Sequence, residues 1–96
     1  MSTTTIERPR QAGPGSGLGG DWRVIVRNDN HNTFDHVART LASVLPNTTL
    51  EQGHAIAEQI HNTGQAIVWS GPRETAELYW QQLDAAGLTM APLERS

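Results

Sequence analysis

The sequence predicts an α+β domain with element order βααβαβ: a three-stranded antiparallel sheet in the order 2-1-3, with three helices on one face. Three observations carry that expectation. Residues 22–27 alternate in hydropathy as a strand does, three later segments repeat apolar residues every three or four positions, and Pro46, Gly64 and Gly87 punctuate their ends. A helix between strands two and three makes those two strands parallel. The right-handed crossover is then easiest with strand one between them, antiparallel to both.

Each element has a local cause. Residues 1–20 are rich in Gly and Pro and hold one Ile and one Leu, so they are expected to be a disordered N-terminal extension before a core domain at 21–96. In the first strand Trp22, Val24 and Val26 share one face, and Arg23, Ile25 and Arg27 the other. Six polar residues, Asn28 to Thr33, follow it. Phe34, Val37, Ala38, Leu41, Val44 and Leu45 then give a first helix over about 34–45, stopped by Pro46. Thr49-x-x-Gln52 is a capping box, with Thr48-x-x-Glu51 as the alternative register, and opens a second helix over about 50–62. Gly64 suits a left-handed helix end, and Gln65 to Ser70 reads as a short buried strand. Ser70-Gly71-Pro72 offers an N-cap and an N1 proline for a third helix ending at Gly87. Leu88 to Glu94 is a last strand, placed at a sheet edge by Pro92.

Composition excludes several classes of function. At 96 residues the chain is shorter than a typical domain of roughly 150 residues, so it holds a single domain. It has no Lys and a net charge of -3, which disfavours nucleic acid and anionic membranes as partners. With no Cys there are no disulfides, thiolate metal sites or thiol nucleophiles, and a reducing, cytoplasmic home fits. No run of residues is long and apolar enough for a membrane span.

Candidate chemistry is concentrated in one loop. Asn28 to Thr33 places a carboxylate and three carboxamides at the end of the central strand. Turn and cap chemistry accounts for such residues, with Asn32 or Thr33 as the N-cap of the first helix. A recognition site for a cation or amine accounts for them as well, through the charge of Asp29 and the acceptors of the Asn side chains. His61, near the end of the second helix beside Ile60, can face a half-buried pocket or simply complement the helix dipole. His54 and His61 are seven residues apart, about 10 Å along a helix axis, too far to share one ion. No metal and no cofactor is expected. Ser43 sits on the first helix and Ser70 on a cap, and no phosphate loop or hydrolase elbow is present, so the chain reads as a binding protein, not an enzyme.

Arg27-Asn28-Asp29-Asn30, Ile60-His61-Asn62-Thr63-Gly64-Gln65-Ala66-Ile67, Gly71-Pro72-Arg73-Glu74-Thr75-Ala76-Glu77, Ala86-Gly87-Leu88-Thr89-Met90 and Pro92-Leu93-Glu94 together resemble the ClpS adaptor family, above all its cyanobacterial members. The resemblance spans about 21–94. It implies an adaptor that binds N-degron substrates by a free N-terminal bulky hydrophobic residue and delivers them to a AAA+ Clp unfoldase for degradation by ClpP. It further implies that Asn28, Asp29 and His61 contact the substrate ammonium, with Asn30 and Asn32 in the supporting loop. Phe34, Ala57, Ile60, Thr89 and Met90 are the implied hydrophobic pocket. Glu74 and Tyr79 are the implied docking positions, and Tyr79, where many members have Lys, favours a ClpC-type over a ClpA-type unfoldase. The N-terminal extension is, by the same resemblance, what the motor engages. Asn30, Asn32 and Phe34 replace the family's usual Asp, Thr and Met, which leaves the preferred side chain open. Two other readings stay open on the residues alone. One is a ribosomal-stalk-like interaction domain, disfavoured by the absence of a basic helix face; the other is a homodimer through Trp22 or Trp69.

Overall fold

The computed structural model describes residues 20–96, so nearly all of the expected N-terminal extension lies outside the described residues. The elements are β1 (Trp22–Arg27), α1 (Phe34–Val44), α2 (Leu50–Thr63), β2 (Gln65–Gly71), α3 (Arg73–Ala85) and β3 (Glu94–Arg95). The sheet is antiparallel with the order β2-β1-β3, as the crossover argument requires. Val24 and Val26 of β1 point into a core shared with Leu41 and Leu45, with Ile60 of α2 and with Ala76 and Leu83 of α3. All three helices therefore cover one face. Leu41 and Leu83 are fully buried, and burying each such side chain contributes ~1.5–3 kcal/mol.

Local chemistry selects the helix starts. Thr33 caps α1, its side chain accepting from the His36 N–H at 3.0 Å. Of the two registers open for α2 the capping box is Thr49–Gln52: the Gln52 N–H donates to Thr49 Oγ1 at 3.1 Å, and the Thr49 N–H donates to Gln52 Oε1 at 2.8 Å. Helix α2 packs closely on α1 at Gly53, where an added Cβ would strike the Ala38 carbonyl. At its far end Gly64 takes φ 95, the left-handed turn that returns the chain into β2.

Three expectations need correction. Strand β2 is an edge strand, not a buried one: among the described residues it pairs only with β1, and Ile67, opposite Ile25 and away from the core-facing Val24 and Val26, is 51% exposed. Ser70 does not cap α3, because it lies within β2 opposite Arg23; Pro72 occupies the cap position and makes no side-chain bond there. The last strand is shorter than 88–94. Val26 bridges Met90 and Arg23 pairs Glu94, so three steps on β1 meet four on the last segment. Pro92, without an N–H to donate, sits in that irregular stretch.

Candidate functional site

A cavity of ≈ 300 Å³ opens where β1 ends, between the start of α1 and the C-terminal half of α2. Arg27, Asn28, Asp29, Asn30 and Asn32 line it from the strand and loop, Phe34 and Val37 from α1, and Ala57, Ile60 and His61 from α2. One end is thus polar and the other apolar. The positions follow from the elements: Phe34 and Val37 are one helical turn apart, as are Ala57 and Ile60 or His61.

Backbone hydrogen bonds hold the polar loop from both sides. The Arg27 N–H donates to the Thr89 carbonyl at 2.8 Å, and the Asn28 N–H donates to the Gly64 carbonyl at 2.9 Å. Asp29 organises the loop between them. Its Oδ1 accepts from the His31 N–H at 3.0 Å and the Asn32 N–H at 2.7 Å; its Oδ2 accepts from Asn32 Nδ2 at 2.6 Å and from the Thr89 hydroxyl at 2.8 Å. Burial opposes the charge on this carboxylate. The bonds from Asn32, Thr89 and His31 outweigh burial and hold the carboxyl far below the usual carboxylate range. Asp29 is therefore a fixed negative charge beside the cavity. His61 presents its ring at the mouth, edge-on to Phe34 with centroids 5.1 Å apart, and Phe34 is 45% exposed.

The structure gathers Asn28, Asp29, Asn30, Asn32, Phe34, Ala57, Ile60 and His61 around this one cavity. Thr89 and Met90, expected on its wall, do not line it. The Thr89 side chain reaches the site through Asp29 and its carbonyl through the Arg27 N–H, while Met90, opposite the core-facing Val26, shares its face and packs against the core. Arg27 and Val37 line the cavity without having been singled out for it; Val37 follows Phe34 at helical spacing, a signal the sequence carried. Glu74 and Tyr79 do not share a face, since five helical residues turn about 140° beyond a full circle. Glu74 is exposed on the first turn of α3, whereas Tyr79 packs edge-on against Trp69 at 4.9 Å. The two tryptophans considered for a dimer face are half-buried in their own domain, Trp22 beneath the Arg73 guanidinium at 5.1 Å and Trp69 beside Tyr79. Among the described residues no group of three or more His, Cys, Asp or Glu is arranged to hold a metal, and no helix is long and apolar enough to cross a membrane.

Residues 19–95 match the family model described as ATP-dependent Clp protease adaptor protein ClpS. This chain belongs to the ClpS family. It is similar to the ATP-dependent Clp protease adapter protein ClpS of Thermosynechococcus vestitus, 55% identical over 74 residues that cover 77% of this chain and 79% of that protein. The ClpS of a Nostoc strain is likewise 55% identical over 74 residues, covering 77% of this chain and 76% of its own length. The structure of Agrobacterium tumefaciens ClpS2 bound to L-phenylalaninamide shares the fold with a TM-score of 0.71 at 23% identity, covering 81% of this chain and 99% of that one. A ClpS chain is an adaptor of the Clp protease, which sets aside the ribosomal-stalk-like reading.

Proposed function

We propose that this ClpS chain captures proteins by a free N-terminal residue with a bulky hydrophobic side chain and hands them to a AAA+ unfoldase of the Clp system. The observation that carries this is the two-ended cavity, with hydrogen-bond acceptors and a fixed carboxylate at one end and Phe34, Val37, Ala57 and Ile60 at the other. An N-terminal ammonium brings three donors and a positive charge. Asn28 and a neutral His61 supply acceptors. Asp29 already accepts four bonds, so its part is the counter-charge. The side chain next to that ammonium enters the apolar end. The ligand of the Agrobacterium relative, an amino acid with a free amine and a capped carboxyl, has this chemistry.

Delivery rests on the family resemblance, with Glu74 on the exposed first turn of α3 and Tyr79 at the family's Lys position; a ClpC-type unfoldase in the cytoplasm is the partner we infer. Residues 1–20 form the segment offered to the motor, and 21–96 the binding domain. Fluorescence anisotropy with a peptide beginning in Phe or Leu, free or acetylated, tests the first half of the proposal. Only the free-amine peptide should bind. Equal affinity for the acetylated peptide would overturn it.

A further inference from the structure

Asn32 makes a connection that the turn at Asn28 to Thr33 does not need. Its half-buried side-chain amide donates twice, at 2.6 Å to Asp29 Oδ2 and at 2.9 Å to the carbonyl of Gly87, 55 residues away in the chain. Gly87 closes α3 in a left-handed conformation, φ 96. The preceding carbonyl, Ala86, is bonded to His36 Nε2 at 3.0 Å, and since a carbonyl only accepts, that nitrogen carries the proton. Two successive carbonyls just past the end of α3 are thus held by other elements, one by the loop and one by the first turn of α1.

A carboxamide suits this bridge because one nitrogen carries two hydrogens directed about 120° apart, while a hydroxyl carries one. Thr, the residue expected here by resemblance, can serve one of the two acceptors but not both. We propose that Asn32 is a positioning residue for the amine site: it fixes the orientation of the Asp29 carboxylate by tying it to the end of α3, which makes the α3 terminus part of the recognition apparatus. The inference rests on the amine-binding reading above. Without the Asn32 side chain, Oδ2 keeps only the Thr89 hydroxyl and the loop loses its tie to Gly87.

The test combines two measurements on the full chain, for wild type, Asn32→Ala and Asn32→Thr. Carbon-detected NMR follows the titration of the Asp29 carboxyl, and anisotropy gives the affinity for a peptide beginning in Phe, free or acetylated. The groups near Asp29 are Arg27 on β1, His31 on its own loop, His36 on α1 and His61 on α2. All four are present in wild type and in both variants, so they form a common background against which the Asn32 substitutions are compared. In Asn32→Ala the Asp29 midpoint should rise toward the ordinary carboxyl range while affinity for the free-amine peptide falls on the order of tenfold, the effect of losing one charge-assisted bond. Asn32→Thr should recover part of both, and should it alone fold, its partial shift carries the test. A purely structural side chain would lower the melting temperature without moving the Asp29 midpoint. An unmoved midpoint, or affinity within twofold of wild type, in protein that still prefers the free amine overturns the positioning role alone. Wild type binding the acetylated peptide equally well overturns the amine reading, and this inference with it.

Discussion

Removing Asp29 separates recognition from folding most sharply. In Asp29→Ala four donors lose their acceptor, three of them part-buried. At about 1 kcal/mol net for each part-buried bond, the loss is ~3 kcal/mol. A small domain has ~5–15 kcal/mol of stability, so the variant should remain folded at 25 °C with a melting temperature lowered on the order of 10–25 °C. Binding should suffer as well. An ammonium about 4 Å from a carboxylate gains ~4 kcal/mol at an effective dielectric near 20, and halving this because the cavity opens to water leaves ~2 kcal/mol. Free-amine peptide affinity should therefore drop at least about thirtyfold. The pH dependence has a definite sign. The folded Asp29 carboxyl titrates below its ordinary range, so its stabilisation is complete above that range and is lost only as pH falls through the depressed value. Between about pH 8 and pH 5 the stability gap between wild type and Asp29→Ala should be flat. Anisotropy and thermal melts at several pH values decide the matter. Asp29→Ala protein that is folded and binds as tightly as wild type would refute the reasoning.

Three further outcomes are expected. Gly53→Ala should push α1 and α2 apart at Ala38, costing ~1–3 kcal/mol against a helix-propensity gain of about 1, and should weaken peptide binding because the cavity lies between those helices; a melting temperature at or above wild type would show that the contact yields. Phe34→Met replaces a stiff ring at the cavity mouth with a flexible thioether and frees the His61 ring, so the range of accepted N-terminal side chains should broaden; an unchanged rank order across Phe, Tyr, Trp, Leu and Ile peptides would count against Phe34 as a selector. Deleting residues 2–17 should leave peptide affinity and melting temperature unchanged while slowing degradation by reconstituted unfoldase and protease; delivery at the full rate would remove the extension from hand-over.

The legible parts of this fold are those with a local cause. Thr33, Thr49, Gln52 and Gly64 each satisfy helix-end groups within a few residues, so the sequence marks their places. The misread parts depend on partners distant in the chain. Ser70 has the chemistry of a cap, yet its pairing opposite Arg23 holds it in the sheet. Gln65 to Ser70 looks buried because its apolar residues run together, but among the described residues the strand has a neighbour on one side only, and that is a property of the sheet order.

The site divides along the same line. Asn28, Asp29 and Phe34 stand where a strand gives way to a helix, and His61 where a helix ends, so all four can be placed from the sequence. The Thr89 hydroxyl and the Gly87 carbonyl cannot, since they arrive from the far end of the chain and one of them is backbone. This also explains why the loop could be read both as a turn and as an amine site. Asp29 caps the His31 and Asn32 amides through Oδ1, which is turn chemistry, and those same bonds keep the carboxylate ionised and still, which is what an incoming ammonium requires. The two readings are therefore not rivals. On the proposed reading, the turn preorganises the charge before any substrate arrives, so little further conformational freedom is lost on binding.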